Sequence, residues 1–186
     1  MIARKVFAVT RTEQDSIVRN NTTLFVRNVQ HVFKDMADVD LYVLPKVQEP
    51  VSSLHREHGM VVVSHFSGMV QGDFMFSTNE ETAAEMARIP VRSTSGTAVA
   101  AAREAYAGFM CEALNTCVHL SIGDLEEMFG ALTILPPAWI FGEYHSADYI
   151  SGVGVVSGVC GTVTCSMSLN LISLQIVENL MSGKVY

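Results

Sequence analysis

The stretch GFMCEALNTC, residues 108–117, lies inside a run whose apolar residues recur as they do along a helix. At roughly 100° per residue, Met110, Leu114, Cys117, Leu125 and Met128 share one stripe, with Ser121 among them. That stripe is expected to face a sheet. Glu112, Asn115 and His119 fall on the opposite side, with Gly108 and Gly123 above and below them and Glu104 and Glu126 extending the strip. The reading predicts one long helix over residues 97–129, ended by Gly130.

A polar strip on a helix is ordinarily a solvated face. Glycine at 108 and 123, however, costs about 1 kcal/mol each in helix propensity, and an idle face would favour Ala, Lys or Glu there. Glycines beside a polar turn let another backbone come close. Gly108, Glu112, Asn115 and His119 are therefore the candidate docking and chemical residues.

On the far side of this helix, ALTILPPAWIFGEYHSAD reads as strand interrupted by Pro136 and Pro137. YISGVGVV, a turn at SGVCG, the strand TVTCSMSL and a last helix through Leu171, Leu174, Val177 and Leu180 complete the chain. On the near side, residues 1–12 alternate like a short strand. NTTLFVRNVQHVFKDMA then carries a helical stripe of Phe25, Val29, Val32, Phe33 and Met36, with Asn21 or Thr22 as its expected cap. The segment from Leu41 to Pro50 is extended and broken by Pro45 and Pro50. Next come a strand opening at Gly59, a glycine turn at SGMVQG, the strand DFMFS, and a short helix with Thr78 and Glu81 as a capping box, halted by Pro90.

The two hairpins resemble each other. SGMVQGDFMFST (67–78) and SGVCGTVTCSMS (157–168) align Gly72 with Gly161 and Ser77 with Ser166. Such a duplication implies a sheet with pseudo-twofold symmetry and the long helix packed on one face.

The 186 residues are enough for one core and one domain, 1–186, and 49% of them are apolar, the composition of a packed globule. A net charge of -7 excludes a nucleic-acid surface, which needs clustered Lys and Arg. Residues 150–176 carry no charge over a span long enough for a bilayer, but their four glycines, Ser, Thr and Asn170 read as strands and a helix in a soluble core rather than a membrane span. Cys111, Cys117, Cys160 and Cys165 form no CxxC and read as buried thiols in a reducing, cytoplasmic setting, with no metal site. No catalytic triad, P-loop or dinucleotide fingerprint is present.

Glu112-Ala-Leu-Asn115, followed by twenty residues and then Pro136-Pro137, resembles the signature of the CheC/CheX/FliY chemotaxis phosphatases, an ExxN turn on a long helix with a proline some way beyond. With the preceding strand and helix and the trailing strand, the likeness covers most of residues 22–180. It is nearest to CheX, whose members carry a single such turn. The resemblance implies an α+β, two-layer CheC/CheX-like fold with a mostly antiparallel sheet. It implies hydrolysis of the aspartyl-phosphate of a CheY-type response regulator, with Asn115 orienting the water and Glu112 pairing with the regulator's lysine. It implies Mg²⁺ on the regulator, no cofactor on this chain, and a homodimer. Two residues depart from the pattern. Gly108 stands where a small polar or acidic residue is usual, and His119 where small residues are usual. A non-catalytic adaptor for a response regulator or a motor complex is the alternative.

Overall fold

A computed structural model describes residues 11–44, 48–51, 54–56, 59–90, 96–142, 144–146 and 149–170. Its elements are α1 (Arg11–Ala37), β1 (Leu41–Val43), β2 (Gln48–Val51), β3 (Leu54–Arg56), β4 (Met60–Ser67), β5 (Gln71–Thr78) and α2 (Glu80–Met86). They are followed by α3 (Gly96–Ser121), α4 (Gly123–Phe129), β6 (Thr133–Ile134), β7 (Ala138–Phe141), β8 (Tyr144–Ser146), β9 (Tyr149–Gly158) and β10 (Gly161–Asn170). The last predicted helix, through Leu171 and Leu180, lies outside the described residues, as do residues 1–10 of the predicted first strand.

Eight strands form one antiparallel sheet in the order β1-β9-β10-β5-β4-β6, with β2 also on β9 and β7 also on β4; β3 and β8 pair separately. At its centre β5 runs antiparallel to β10, with Phe76 opposite Cys165. The duplication is therefore larger than the two hairpins. Each half contributes a helix, two short edge strands and a hairpin, and the edge strands are exchanged. β1 and β2 of the first half close the second hairpin, while β6 and β7 of the second half close the first. The ribbon obeys the same dyad, pairing His55 with His145 at its middle.

The helices form the second layer. α1 packs on β9 and β10, α3 on β4 and β5, and the two helices pack on each other. Alternation along the strands sends Phe66, Phe74 and Phe76 to the helix side, where all three are buried. Phe25 of α1 stacks on Phe76 at 5.6 Å and meets Phe74 at 4.9 Å; Phe33 bridges Phe76 and Phe109 of α3. On the other face Val61, Met75 and Val153 pack with Tyr144 of β8. α1 comes close to β9 because Gly152 and Gly154 stand under it; a Cβ on Gly154 would lie 2.6 Å from Val26 Cγ2.

Four expectations are corrected. Arg11 and Thr12 belong to α1, not to a strand, and Asn21 and Thr22 do not cap it. They sit in its middle, their side chains donating to the Ile17 and Val18 carbonyls. The cap of α2 is Asn79, whose Oδ1 accepts from Thr82 N at 2.7 Å; Thr78 ends β5 and its hydroxyl donates to Thr162 O. The long helix is two, divided at Ile122 between α3 and α4.

Candidate functional site

α3 is held by its inner stripe. Tyr106, Ala107, Met110, Ala113, Leu114, Cys117, Val118 and Ser121 are all buried. The opposite side is thereby turned outward. Gly108, Glu112 and His119 are exposed and Asn115 is half-buried, so the four predicted residues share one ridge. Three-residue spacing puts Glu112 and Asn115 on the same turn.

Among the described residues, Glu112, Asn115 and His119 have no side-chain hydrogen bond or ion pair within the chain. Beside them, Thr116 Oγ1 donates to the Glu112 carbonyl at 3.0 Å. The ridge therefore offers a carboxylate acceptor and an amide that both donates and accepts. It is convex. A groove of about 540 Å³ opens elsewhere, between Ala100, Arg103 and Glu104 of α3 and Trp139 and Phe141 of β7.

The glycines differ. A Cβ on Gly108 would meet nothing within 4 Å, so this glycine is not required by the packing of its own chain. Gly123 is equally open, but it is the first residue of α4 rather than a mid-helix gap. Glu104 is exposed on the strip, whereas Glu126 turns half inward and its Oε1 accepts from Leu132 N.

The cysteines supply no nucleophile to the ridge. Burial pushes the Cys111 and Cys117 thiols above their ordinary range, which keeps them protonated at neutral pH. Cys165 is pushed up likewise by burial, with Cys117 nearby adding to the shift. Among the described residues no group of three or more His, Cys, Asp or Glu is placed to hold a metal.

The dyad allows a check on the other helix. A displacement of 85 positions carries the buried Tyr106, Met110, Leu114 and Val118 of α3 onto the buried Asn21, Phe25, Val29 and Phe33 of α1. Glu112 and Asn115 then coincide with Arg27 and Gln30. Gln30 is engaged, its Nε2 donating to the Leu41 carbonyl at 2.8 Å. The described helices thus present one turn of this kind.

No protein-family model matches the sequence, and no curated protein does. Solved structures do match. A CheX chemotaxis protein of Desulfovibrio desulfuricans superposes with a TM-score of 0.61 at 15% identity, over 81% of this chain and 99% of that one. A CheX–CheY–BeF3–Mg²⁺ complex from Borrelia burgdorferi matches with a TM-score of 0.59 at 16% identity, over 82% of this chain and 99% of that one. Thermotoga maritima FliY matches with a TM-score of 0.58 at 10% identity, over 95% and 100% of the two chains. The chain has the CheC/CheX fold. On that fold the ridge of Glu112 and Asn115 lies on the helix layer, pointing away from the sheet.

Two groups beside the ridge carry no motif. Asn28 of α1 donates from Nδ2 to Ser121 Oγ at 2.9 Å and to the Leu120 carbonyl at 3.2 Å. At the other end of α3, Arg103 makes a bidentate pair with Glu80 at 2.8 Å while the Tyr106 hydroxyl donates to Glu80 at 2.6 Å. Burial pushes Tyr106 up to about 12, helped by Glu80. Burial works to raise Glu80, but the bonds from Tyr106 and Arg103 outweigh it and its carboxyl falls below the usual range. The helical period of α1 puts Asn28 toward α3, but nothing in the sequence says which carbonyl it meets.

Proposed function

We propose that the chain is a CheX-like phosphatase that removes the phosphoryl group from the aspartyl-phosphate of a CheY-type response regulator. The observation that carries the reading is an unengaged carboxylate and carboxamide on one outward turn of α3. A macromolecular partner fits two outward polar groups on the exposed face of a helix, which can enter a pocket on another protein. The partner's class is supported by the shared fold of the CheX found with CheY, BeF3 and Mg²⁺.

An aspartyl-phosphate is an acyl phosphate with a good leaving group, so positioning and charge carry most of the acceleration. Water attacks phosphorus, the bond to the aspartyl oxygen breaks, and inorganic phosphate leaves. Asn115 does not titrate near neutral pH and is no general base. Its amide accepts from the water and donates to a phosphoryl oxygen, which fixes the water in line. Glu112 accepts from an ammonium of the regulator. Mg²⁺ belongs to the regulator, and the protein acts in the cytoplasm. Among the described residues no helix is long and apolar enough to cross a membrane.

A second reading is a binding module that docks on a phosphorylated regulator without hastening hydrolysis. His119, exposed on the same ridge, favours it, since a bulky side chain one turn from Asn115 can hold the amide off the phosphoryl group. Two copies are proposed to associate through the outer edge of β7, where Trp139 and Ile140 are each 41% exposed. The test is decay of a phosphorylated CheY-type regulator in Mg²⁺ with and without this protein. Faster decay supports the phosphatase; binding with unchanged decay selects the module.

A further inference from the structure

The chemistry proposed for Asn115 needs its amide held to within a fraction of an ångström. Yet α3 ends only six residues later, at Ser121, and the chain breaks helix at Ile122 before α4 begins. A helix terminus leaves carbonyls unsatisfied and frays unless something engages them. Here Ile122 N donates to the Val118 carbonyl at 2.9 Å, and the Leu120 carbonyl is engaged from the other helix. Asn28 Nδ2 reaches both the Leu120 carbonyl and Ser121 Oγ, and Ser121 Oγ in turn donates to the Cys117 carbonyl at 2.7 Å. This chain of bonds links α1 to the last turn of α3 through side chains. Its inner end is dry, since Ser121 is fully buried, and a hydrogen-bonded chain in such surroundings is stiffer than its members taken singly.

We infer that Asn28 is a positioning residue for the ridge, clamping the last turn of α3 so that Asn115 keeps its aim. The inference rests on the phosphatase reading. It makes a graded prediction, because the clamp acts from the C-terminal end of the ridge. His119 adjoins Leu120, Asn115 lies a turn further back, and Glu112 nearly a turn beyond that. Loosening the clamp disturbs the residue that orients water more than the residue that holds the partner.

The test uses Asn28→Asp, which keeps the shape but cannot donate to the Leu120 carbonyl, and Ser121→Ala, which keeps the carbonyl bond but removes the hydroxyl. Asn28→Asp should lower kcat roughly three- to tenfold, as small misplacements of a positioned group do, with KM for the phosphorylated regulator changed less than twofold. The double variant should lose less than the two single losses combined, because both break one chain of bonds. Amide exchange should quicken at residues 119–124 and stay unchanged in β5 and β10. Four results overturn the inference: kcat unchanged in Asn28→Asp, kcat and KM moving together, exchange quickening across the sheet, or strictly additive losses. Wild-type protein that does not hasten decay overturns the phosphatase reading itself, and the clamp's role with it. A wild type that works beside an unaltered Asn28→Asp removes the clamp alone.

Discussion

Replacing Gly108 by alanine separates two demands on the ridge that otherwise coincide. A Cβ there meets no atom within 4 Å, so the folded chain accepts it without movement. The helix then gains about 1 kcal/mol, largely because alanine leaves the unfolded chain less freedom. In a chain of this length that raises Tm by roughly 2–4 °C. Gly154→Ala is the contrasting case. Its Cβ would lie 2.6 Å from Val26 Cγ2 at the junction of α1 and β9, and such overpacking costs roughly 1–3 kcal/mol. The function should move the other way from the stability. If a regulator packs on the bare backbone at Gly108, the added methyl displaces it at a cost of about 1 kcal/mol, roughly fivefold in affinity. Urea unfolding measures the first quantity, and titration with a beryllofluoride-activated regulator measures the second. A Gly108→Ala protein less stable than wild type refutes the open-space argument. A stabilised variant that binds as tightly as wild type refutes docking at that glycine.

Tyr106 offers a pH test. Its pKa rises from 10 to about 12 in the fold, so its stabilising share is full below pH 10 and is lost as pH climbs through 12. The advantage of wild type over Tyr106→Phe in unfolding free energy should therefore shrink by about 3 kcal/mol across that window; a constant difference would show that the hydroxyl is not held buried against Glu80. Glu112→Ala should weaken binding of the activated regulator more than it slows the bound chemical step, and equal affinity would remove the lysine-pairing role. Sedimentation at micromolar concentration should give a dimer that Trp139→Lys dissociates; a wild-type monomer would leave the β7 edge without its proposed cover.

How far these elements could be read in advance depended on whether the information was periodic. The inward stripe of α3 was legible because Met110, Leu114, Cys117 and Ser121 keep helical spacing, and all are buried. Met128 was expected on the same stripe and is 45% exposed. The break at Ile122 shifts the phase, so that Ile122, Leu125 and Phe129 take the inward places. No residue pattern marks that break, since Gly123 reads equally well as a gap within a helix. The first turns of α1 were missed because residues 11–16 carry no apolar stripe; Val18 is the first described residue there to be buried. The cap moved from Thr78 to Asn79 because Thr78 still pairs with Met60 across the hairpin. The repeat was visible in its hairpins, where glycines and serines align. The exchange of edge strands was not, because strand partners are a long-range property that one segment's alternation does not encode. On α3, types and spacing predicted that Glu112 and Asn115 share one outward turn, and there they stand. Asn28 required coordinates, being more than ninety residues from its acceptors.

The account turns on an amide from α3 working inside a partner's phosphorylation site. The most direct measurement is single-turnover loss of phosphate from a CheY-type regulator saturated with Asn115→Ala, beside wild type. The predicted result is a complex that still forms while its decay slows at least roughly tenfold, to near that of the regulator alone. A saturated Asn115→Ala complex that loses phosphate as quickly as wild type would contradict it.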